Sequence, residues 1–216
     1  MSMNTNISDG WFERRMMRLT RWEKRFVNTP ANAERIARIA GSLLERVMLP
    51  PEPRCLEIGC GQGAVTRLLV ERYSARVVAS DYDPAQVALT RERLADLDER
   101  VTFRVVDARA MPFDDAQFDG IFSFQVMHHI PGGWRQVVAE TARVLKPGGW
   151  FVFTDLVVSP RAGRLLGCLL PRLDQLEERA LHACLAEHGL RLAHYERGRG
   201  ILAGLMGDCT AAASRA

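Results

Sequence analysis

The hydrophobic positions of this chain fall into two patterns. Stretches with apolar residues three and four apart read as helices, and short apolar runs ending on an acid or a glycine read as buried strands. Helical spacing covers residues 11–26, with Phe12, Met16, Leu19 and Phe26 near one face and Trp22 beside it. It returns over residues 31–48, with Ile36, Ile39, Ala40, Leu43, Leu44 and Val47 on the apolar side. Thr29-Pro30 breaks the first helix and Leu49-Pro50-Pro51-Glu52-Pro53 stops the second, since proline lacks the helical N–H donor and clashes with the preceding turn. Strands and helices then alternate. A first strand ends at Glu57, a helix covers 64–73, and a second strand over 76–80 ends at Asp81-Tyr82-Asp83. Asp83 precedes Pro84 and a helix over 85–94, the arrangement of an N-cap with proline at the first helical position. Strands over 101–106 and 118–124 follow, then a helix over 134–145, Lys146-Pro147-Gly148-Gly149, and a fifth strand over 150–155. A helix over 174–188 ends at Gly189, strands over 190–196 and 200–206 come next, and residues 210–216 read as a frayed tail. The alternation argues for an α/β fold on a mostly parallel sheet with helices on both faces.

The first strand leads into Cys55-Leu56-Glu57-Ile58-Gly59-Cys60-Gly61-Gln62-Gly63, and helical spacing resumes from Ala64. A tight glycine turn between a buried strand and a helix N-terminus is a loop built to touch a nucleotide-like ligand, because glycine removes the Cβ that would stand in its way. Read as Gly59-x-Gly61-x-x-Ala64, the turn fits the dinucleotide fingerprint. Read as acid-x-Gly-x-Gly-x-Gly, it resembles the first motif of class I S-adenosylmethionine (SAM) methyltransferases. Glu57 separates the two. The dinucleotide fingerprint asks for no carboxylate there and a pyrophosphate is repelled by one, whereas a ligand with ammonium and sulfonium centres makes use of it.

The resemblance extends over roughly residues 50–157. Asp81 lies 18 residues beyond Gly63, where a carboxylate at a strand tip accepts both ribose hydroxyls. Asp107 to Phe113 resembles the segment in which an aspartate meets the adenine amine and the next backbone N–H, here Ala108, a ring nitrogen; the bland reading of Asp107 is a turn cap. Val144-Leu145-Lys146-Pro147-Gly148-Gly149 resembles the segment after the fourth strand in small-molecule methyltransferases of the kind seen in quinone biosynthesis. The implied cofactor is SAM, and the implied cofactor residues are Glu57, Gly59, Cys60, Gly61, Gly63, Asp81, Tyr82, Asp107, Ala108 and Gln125. The implied fold is Rossmann-like, a seven-stranded, mostly parallel sheet with helices on both faces and an antiparallel C-terminal edge formed by the last two strands.

With 216 residues, 47% of them hydrophobic, the chain suits one domain that buries about 70% of its unfolded surface. Within it, residues 1–49 form an N-terminal helical lid segment and residues 50–216 the SAM-binding methyltransferase domain. A formal net charge of +3 is too small to argue for nucleic acid. The charge is locally concentrated, with Arg14, Arg18, Arg21 and Arg25 striping the first helix and Arg161, Arg164 and Arg172 marking residues 156–173. The first helix reads as a lid, as a peripheral contact with an anionic membrane or lipid, or as a surface helix with snorkelling arginines. Five cysteines without framework spacing read as reduced thiols, and no apolar run approaches 18 residues, so the expected location is the cytoplasm.

The resemblance implies in-line transfer of the sulfonium methyl to a small-molecule acceptor. His128 and His129 are the histidines at a predicted ligand-facing tip. His128 is the candidate general base, and a structural bond to a neighbouring loop is the equal alternative. Cys60 reads as a small residue in a tight place, and no metal-ligand spacing occurs. Three other classes stay open: an RNA- or protein-modifying methyltransferase, a SAM-binding partner protein that transfers nothing, and a nicotinamide-dependent oxidoreductase.

Overall fold

The computed structural model describes residues 29–97, 99–130, 133–159, 176–198 and 206–216. The predicted helix over 11–26, the basic residues Arg161, Arg164 and Arg172, and most of the predicted strand over 200–206 lie outside them. The sheet is built from β1 (Arg54–Ile58), β2 (Arg76–Asp81), β3 (Val101–Val105), β4 (Phe118–Phe124), β5 (Leu145–Val158), β6 (Leu190–Arg197) and β7 (Met206–Arg215). Their order is β3-β2-β1-β4-β5-β7-β6. The first five are mutually parallel, and β7 runs antiparallel to both β5 and β6.

Helices α1 (Pro30–Leu44), α2 (Ala64–Tyr73), α3 (Pro84–Arg93), α4 (Trp134–Val144) and α5 (Glu178–Glu187) cover the sheet. Two apolar clusters mark its two faces. One contains Ala40, Leu43 and Leu44 of α1 with Val65, Leu69 and Val87 of α2 and α3. The other contains Trp134, Val137 and Val138 of α4 with Leu181 and Leu185 of α5. Successive strand residues feed the two in turn, as the two-residue side-chain period requires: Phe151 and Phe153 enter one cluster, Val152 the other. Each end of this pattern has a local cause. Thr29 caps α1, its hydroxyl accepting from the Asn32 N–H at 3.3 Å, and Pro30 occupies the first turn. Asp83 caps α3 in the predicted manner, its carboxylate accepting from the Ala85 N–H at 3.0 Å.

Among the boundaries that differ from the sequence reading, α1 ends at Leu44 and not near residue 48, and two differences bear on the sheet. Strand β5 begins at Leu145, which pairs with Phe118 before the register shifts and Trp150 takes up Gly120. The Lys146–Gly149 segment is thus an irregularity inside the strand, with Gly148 at φ +75°. The larger correction concerns residues 210–216. They are no tail but most of β7, inserted between β5 and β6, with Thr210 to Ser214 paired to Thr154 through Trp150. Ala211, Ala212 and Ala213 are fully buried. A strand covered on both faces carries no polar–apolar alternation, and here the inward residues are alanines because Phe151 and Phe153 already fill the space beside them.

Deleting residues 210–216 should therefore abolish cooperative folding, since it strips five rungs from β5. Thermal melting followed by circular dichroism checks this. A merely frayed tail would leave the midpoint within about 2 °C of the full chain.

Candidate functional site

Strand order reverses at β1: β2 and β3 lie to one side and β4 and β5 to the other. At such a switch point the loops leaving two neighbouring strands part in opposite directions and open a crevice at the carboxyl ends. A cavity of about 540 Å³ lies there. Glu57, Gly59, Cys60, Gly61, Asp81, Tyr82, Asp107, Ala108, Gln125 and His128 all line it, together with residues of α1. Gly63, predicted with them, does not. A Cβ at Gly63 would fall 2.6 Å from Leu94 Cδ1, so this glycine serves the packing of the turn against α3 and its exit.

The other two glycines differ in what they face. A Cβ on Gly59 would lie 2.4 Å from Val126 Cγ2, whereas one on Gly61 would meet only Gly59 O, at 3.9 Å. Gly61 is the point at which the turn leaves room for a ligand. Its carbonyl is held from behind by Gln86 Nε2 and by Thr90 Oγ1, the latter at 2.6 Å. The Cys60 N–H donates to Ser80 O at 2.8 Å, and the Ser80 hydroxyl donates to Glu57 O at 2.7 Å. Gln86 and Thr90 were not singled out from the sequence. The available signal was a polar pair four residues apart on the buried side of α3. Burial pushes the Cys60 thiol up from its ordinary value, which fits a space-filling role and not a nucleophilic one.

Glu57 is buried at the end of β1 and accepts a hydrogen bond from Thr66 Oγ1 in the first turn of α2. Burial raises its carboxyl to about 8, against the opposing Thr66 bond and with the charge of Asp81 adding to the rise. At neutral pH this acid holds a proton that a cationic ligand would displace. Asp81 ends β2 and accepts the Asp83 N–H at 2.9 Å. The two acids divide as the sequence suggested, Asp81 at the cavity and Asp83 on the helix.

Asp107 closes a turn, as its bland reading expects, accepting the Arg109 N–H at 2.9 Å, and stands at the cavity as well. The Arg109 guanidinium straddles the same carboxylate, with Nη2 at 2.9 Å and Nε at 3.1 Å from its two oxygens. Burial alone would lift the Asp107 carboxyl, but the Arg109 bonds hold it below its usual value. Arg109 was missed because a lone arginine in a predicted loop carries no sequence signal.

The chain leaves β4 through Gln125, which adopts φ +61°, a conformation uncommon outside glycine. Its N–H donates to Thr154 O at 2.7 Å and its side-chain amide to Asp208 at 3.3 Å. The kink lets three consecutive backbone N–H groups, Val126, Met127 and His128, converge on Asp155, at 3.2, 2.7 and 3.3 Å. Leu156 N–H adds a fourth at 2.8 Å. The His128 Nδ1 lies 2.6 Å from Asp155 Oδ1, and the His129 ring sits on His128 with centroids 3.9 Å apart. Asp155, fully buried in β5, is the functional residue the sequence reading passed over. Its signal was visible: a lone acid interrupts the apolar run of β5. Among the described residues no cluster of three His, Cys, Asp or Glu side chains is placed to hold a metal ion.

Residues 56–153 match the family model of a methyltransferase domain. The chain is 33% identical over 129 residues to 27-O-demethylrifamycin SV methyltransferase of Amycolatopsis mediterranei, covering 59% of this chain and 47% of that protein. It is 38% identical over 108 residues to 2-methyl-6-phytyl-1,4-hydroquinone methyltransferase of Synechocystis, covering 50% and 33%. The chain thus spans less than half the length of these relatives. A solved geranyl diphosphate C-methyltransferase of Streptomyces coelicolor, in complex with S-adenosyl-L-homocysteine, shares the fold with a TM-score of 0.69 at 17% identity, covering 88% of this chain and 87% of that one. Over residues 56–153, then, the chain is similar to methyltransferase domains, and its fold is the Rossmann-like one of that solved neighbour.

Proposed function

We propose that this protein transfers the methyl group of SAM to a small, partly apolar acceptor, with His128 as the general base. The observation that carries the reading is a convergence at one switch-point cavity. Carboxylates from the ends of β1 and β2 and from the loop after β3 meet there with a histidine held by a buried aspartate. The residues fit the cofactor. Glu57 suits the ammonium group, Asp81 the ribose hydroxyls, Asp107 and the Ala108 N–H the adenine edge, and the open side of Gly61 a closely approaching chain. Ile58, Val106 and Phe124 supply apolar wall. When bound, SAM supplies a methyl group on a sulfonium whose leaving group departs neutral, so no side chain has to protonate it.

What the chain itself contributes is positioning and one proton transfer. Holding donor and acceptor in line is worth up to roughly 7–11 kcal/mol of the barrier. A hydroxyl or amine acceptor must then lose a proton. With Nδ1 donating to Asp155, the neutral His128 ring keeps its acceptor lone pair on Nε2. The same carboxylate stabilises the charge that the ring acquires. Asp155 is thereby a positioning residue for His128, itself fixed by four backbone donors. A lipid-borne acceptor is the finer reading, supported by the stripe Arg14, Arg18, Arg21 and Arg25; each basic residue near an anionic surface is worth about 1 kcal/mol.

Isothermal titration with S-adenosylhomocysteine, with NAD in parallel, tests the cofactor. Binding of the first alone supports the reading, and binding of NAD alone would replace it with an oxidoreductase. Labelled SAM with hydroquinones, phenols and lipids then separates a transferase from a protein that only binds. Asp81→Ala should weaken S-adenosylhomocysteine binding at least about tenfold with an unchanged circular dichroism spectrum, and unchanged affinity would remove Asp81 from the ribose. His128→Ala should slow transfer by about 10²–10⁴ while affinity for S-adenosylhomocysteine stays near the wild-type value.

Glu57 makes the binding pH-dependent with a definite sign. Its carboxyl sits near 8 in the ligand-free protein, so a ligand ammonium must expel a proton, and affinity should rise from pH 6.5 toward 8. Titrations in buffers of different ionisation enthalpy should show proton release, absent in Glu57→Gln. The folded-state value lies above the ordinary 4.5, so the folded chain binds more protons than the unfolded one between these values. Ligand-free stability should therefore fall as pH rises from about 4.5 through 8. Glu57→Gln should flatten that fall in a pH series of thermal melts.

A further inference from the structure

We propose that Arg35 is the carboxylate receptor of the cavity and holds the carboxylate of the methionine end of SAM; this rests on the cofactor reading above. Two of the cavity's carboxylates are already matched, Asp107 by Arg109 and Asp155 by His128 and four N–H groups. Arg35 is the one arginine or lysine among the described residues lining the cavity, and its guanidinium meets no carboxylate among them. Among the described residues its guanidinium meets a neutral oxygen, Asn32 Oδ1, at 3.4 Å from Nε and 3.3 Å from Nη2. Both distances exceed those of an ordinary N–H···O bond.

A guanidinium offers five donors in a planar fork whose natural complement is the two oxygens of a carboxylate. One amide oxygen shared at long range leaves that fork unmatched. The side chain is also half-buried, on a wall where Ala33 and Ile36 are its neighbours, and a cation desolvated without an anion is costly. The ligand has the complementary need. Its ammonium and carboxylate sit on one carbon, so a site that meets the ammonium with Glu57 must meet the carboxylate with a separate donor. The acids come from the strand tips and the cation from α1, so the cavity is polarised to take a zwitterion.

The test compares S-adenosylhomocysteine with its decarboxylated analogue, 5′-deoxy-5′-(3-aminopropylthio)adenosine, by isothermal titration against wild type, Arg35→Gln and Arg35→Lys. Wild type should prefer the carboxylate-bearing ligand by about tenfold or more. Arg35→Gln should lose that preference by weakening S-adenosylhomocysteine alone, and its retained affinity for the analogue shows that the variant is folded. Arg35→Lys should restore only part of the preference, because an ammonium lacks the fork. A preference that survives both substitutions overturns the proposal and leaves Arg35 to the acceptor or to solvent. Failure of wild type to bind either ligand defeats the cofactor reading itself and this proposal with it.

Discussion

The site depends on a close approach at the end of β1. Gly59 lies so near Val126 that a Cβ would come within 2.4 Å of its methyl group. That contact ties the glycine turn, which follows β1, to the loop that follows β4. Because β1 and β4 are the adjacent strands from which the chain departs in opposite directions, nothing in the sheet ladder itself fixes the distance between the two loops beyond the last rung, Ile58 with Ser123. The Gly59–Val126 packing supplies that distance. It sets the ligand-facing turn and the histidine loop against each other as one rigid edge. A side chain at position 59 would drive them apart, and in a close-packed interior such a displacement is transmitted rather than absorbed.

Around that edge, carboxylates of similar chemistry meet different fates because of what surrounds them. Glu57 is buried with Thr66 as its donor, through hydroxyl and backbone, and desolvation still dominates, so its proton is retained to about 8. Asp107 is partly exposed and straddled by a guanidinium, so it is held below its usual value. Asp155 is fully buried yet receives four backbone N–H bonds and an imidazole. The first is poised to exchange a proton for a cationic ligand, the second is a fixed negative charge at the cavity rim, and the third is a structural acceptor that organises a loop. Position at a strand tip does not assign these roles; the number and charge of donors within reach does.

This explains what was legible in the sequence and what was not. The break at Thr29-Pro30, the helix cap at Asp83, the strand that ends at Glu57 and the gathering of Glu57, Asp81, Asp107 and His128 at one cavity all follow from local rules and one topological rule, and these need no knowledge of distant partners. Arg109, Gln86 and Thr90 were invisible because their meaning lies in a contact: Arg109 with a carboxylate two residues away through a turn, Gln86 and Thr90 with a glycine carbonyl some 25 and 29 residues earlier. Residues 210–216 misled for another reason. An alanine run has little hydrophobic contrast, and contrast is what periodicity measures. Only the bulk of Phe151 and Phe153 on β5 makes small residues the right ones for β7.

The division between lid and domain also looks different once packing is considered. Helix α1, assigned by sequence to the lid segment, contributes Ala40, Leu43 and Leu44 to the same core cluster as α2 and α3. Its N-terminal turns contribute cavity wall. The helix is thus core at one end and site at the other. Its start is tethered as well, for Gln62 of the glycine turn donates to Thr29 O at 2.8 Å while accepting from Arg93 of α3. A side chain of the ligand-facing turn therefore holds the N-cap of the helix whose next turn carries Arg35. A ligand that settles the turn would settle the wall facing it through one carboxamide.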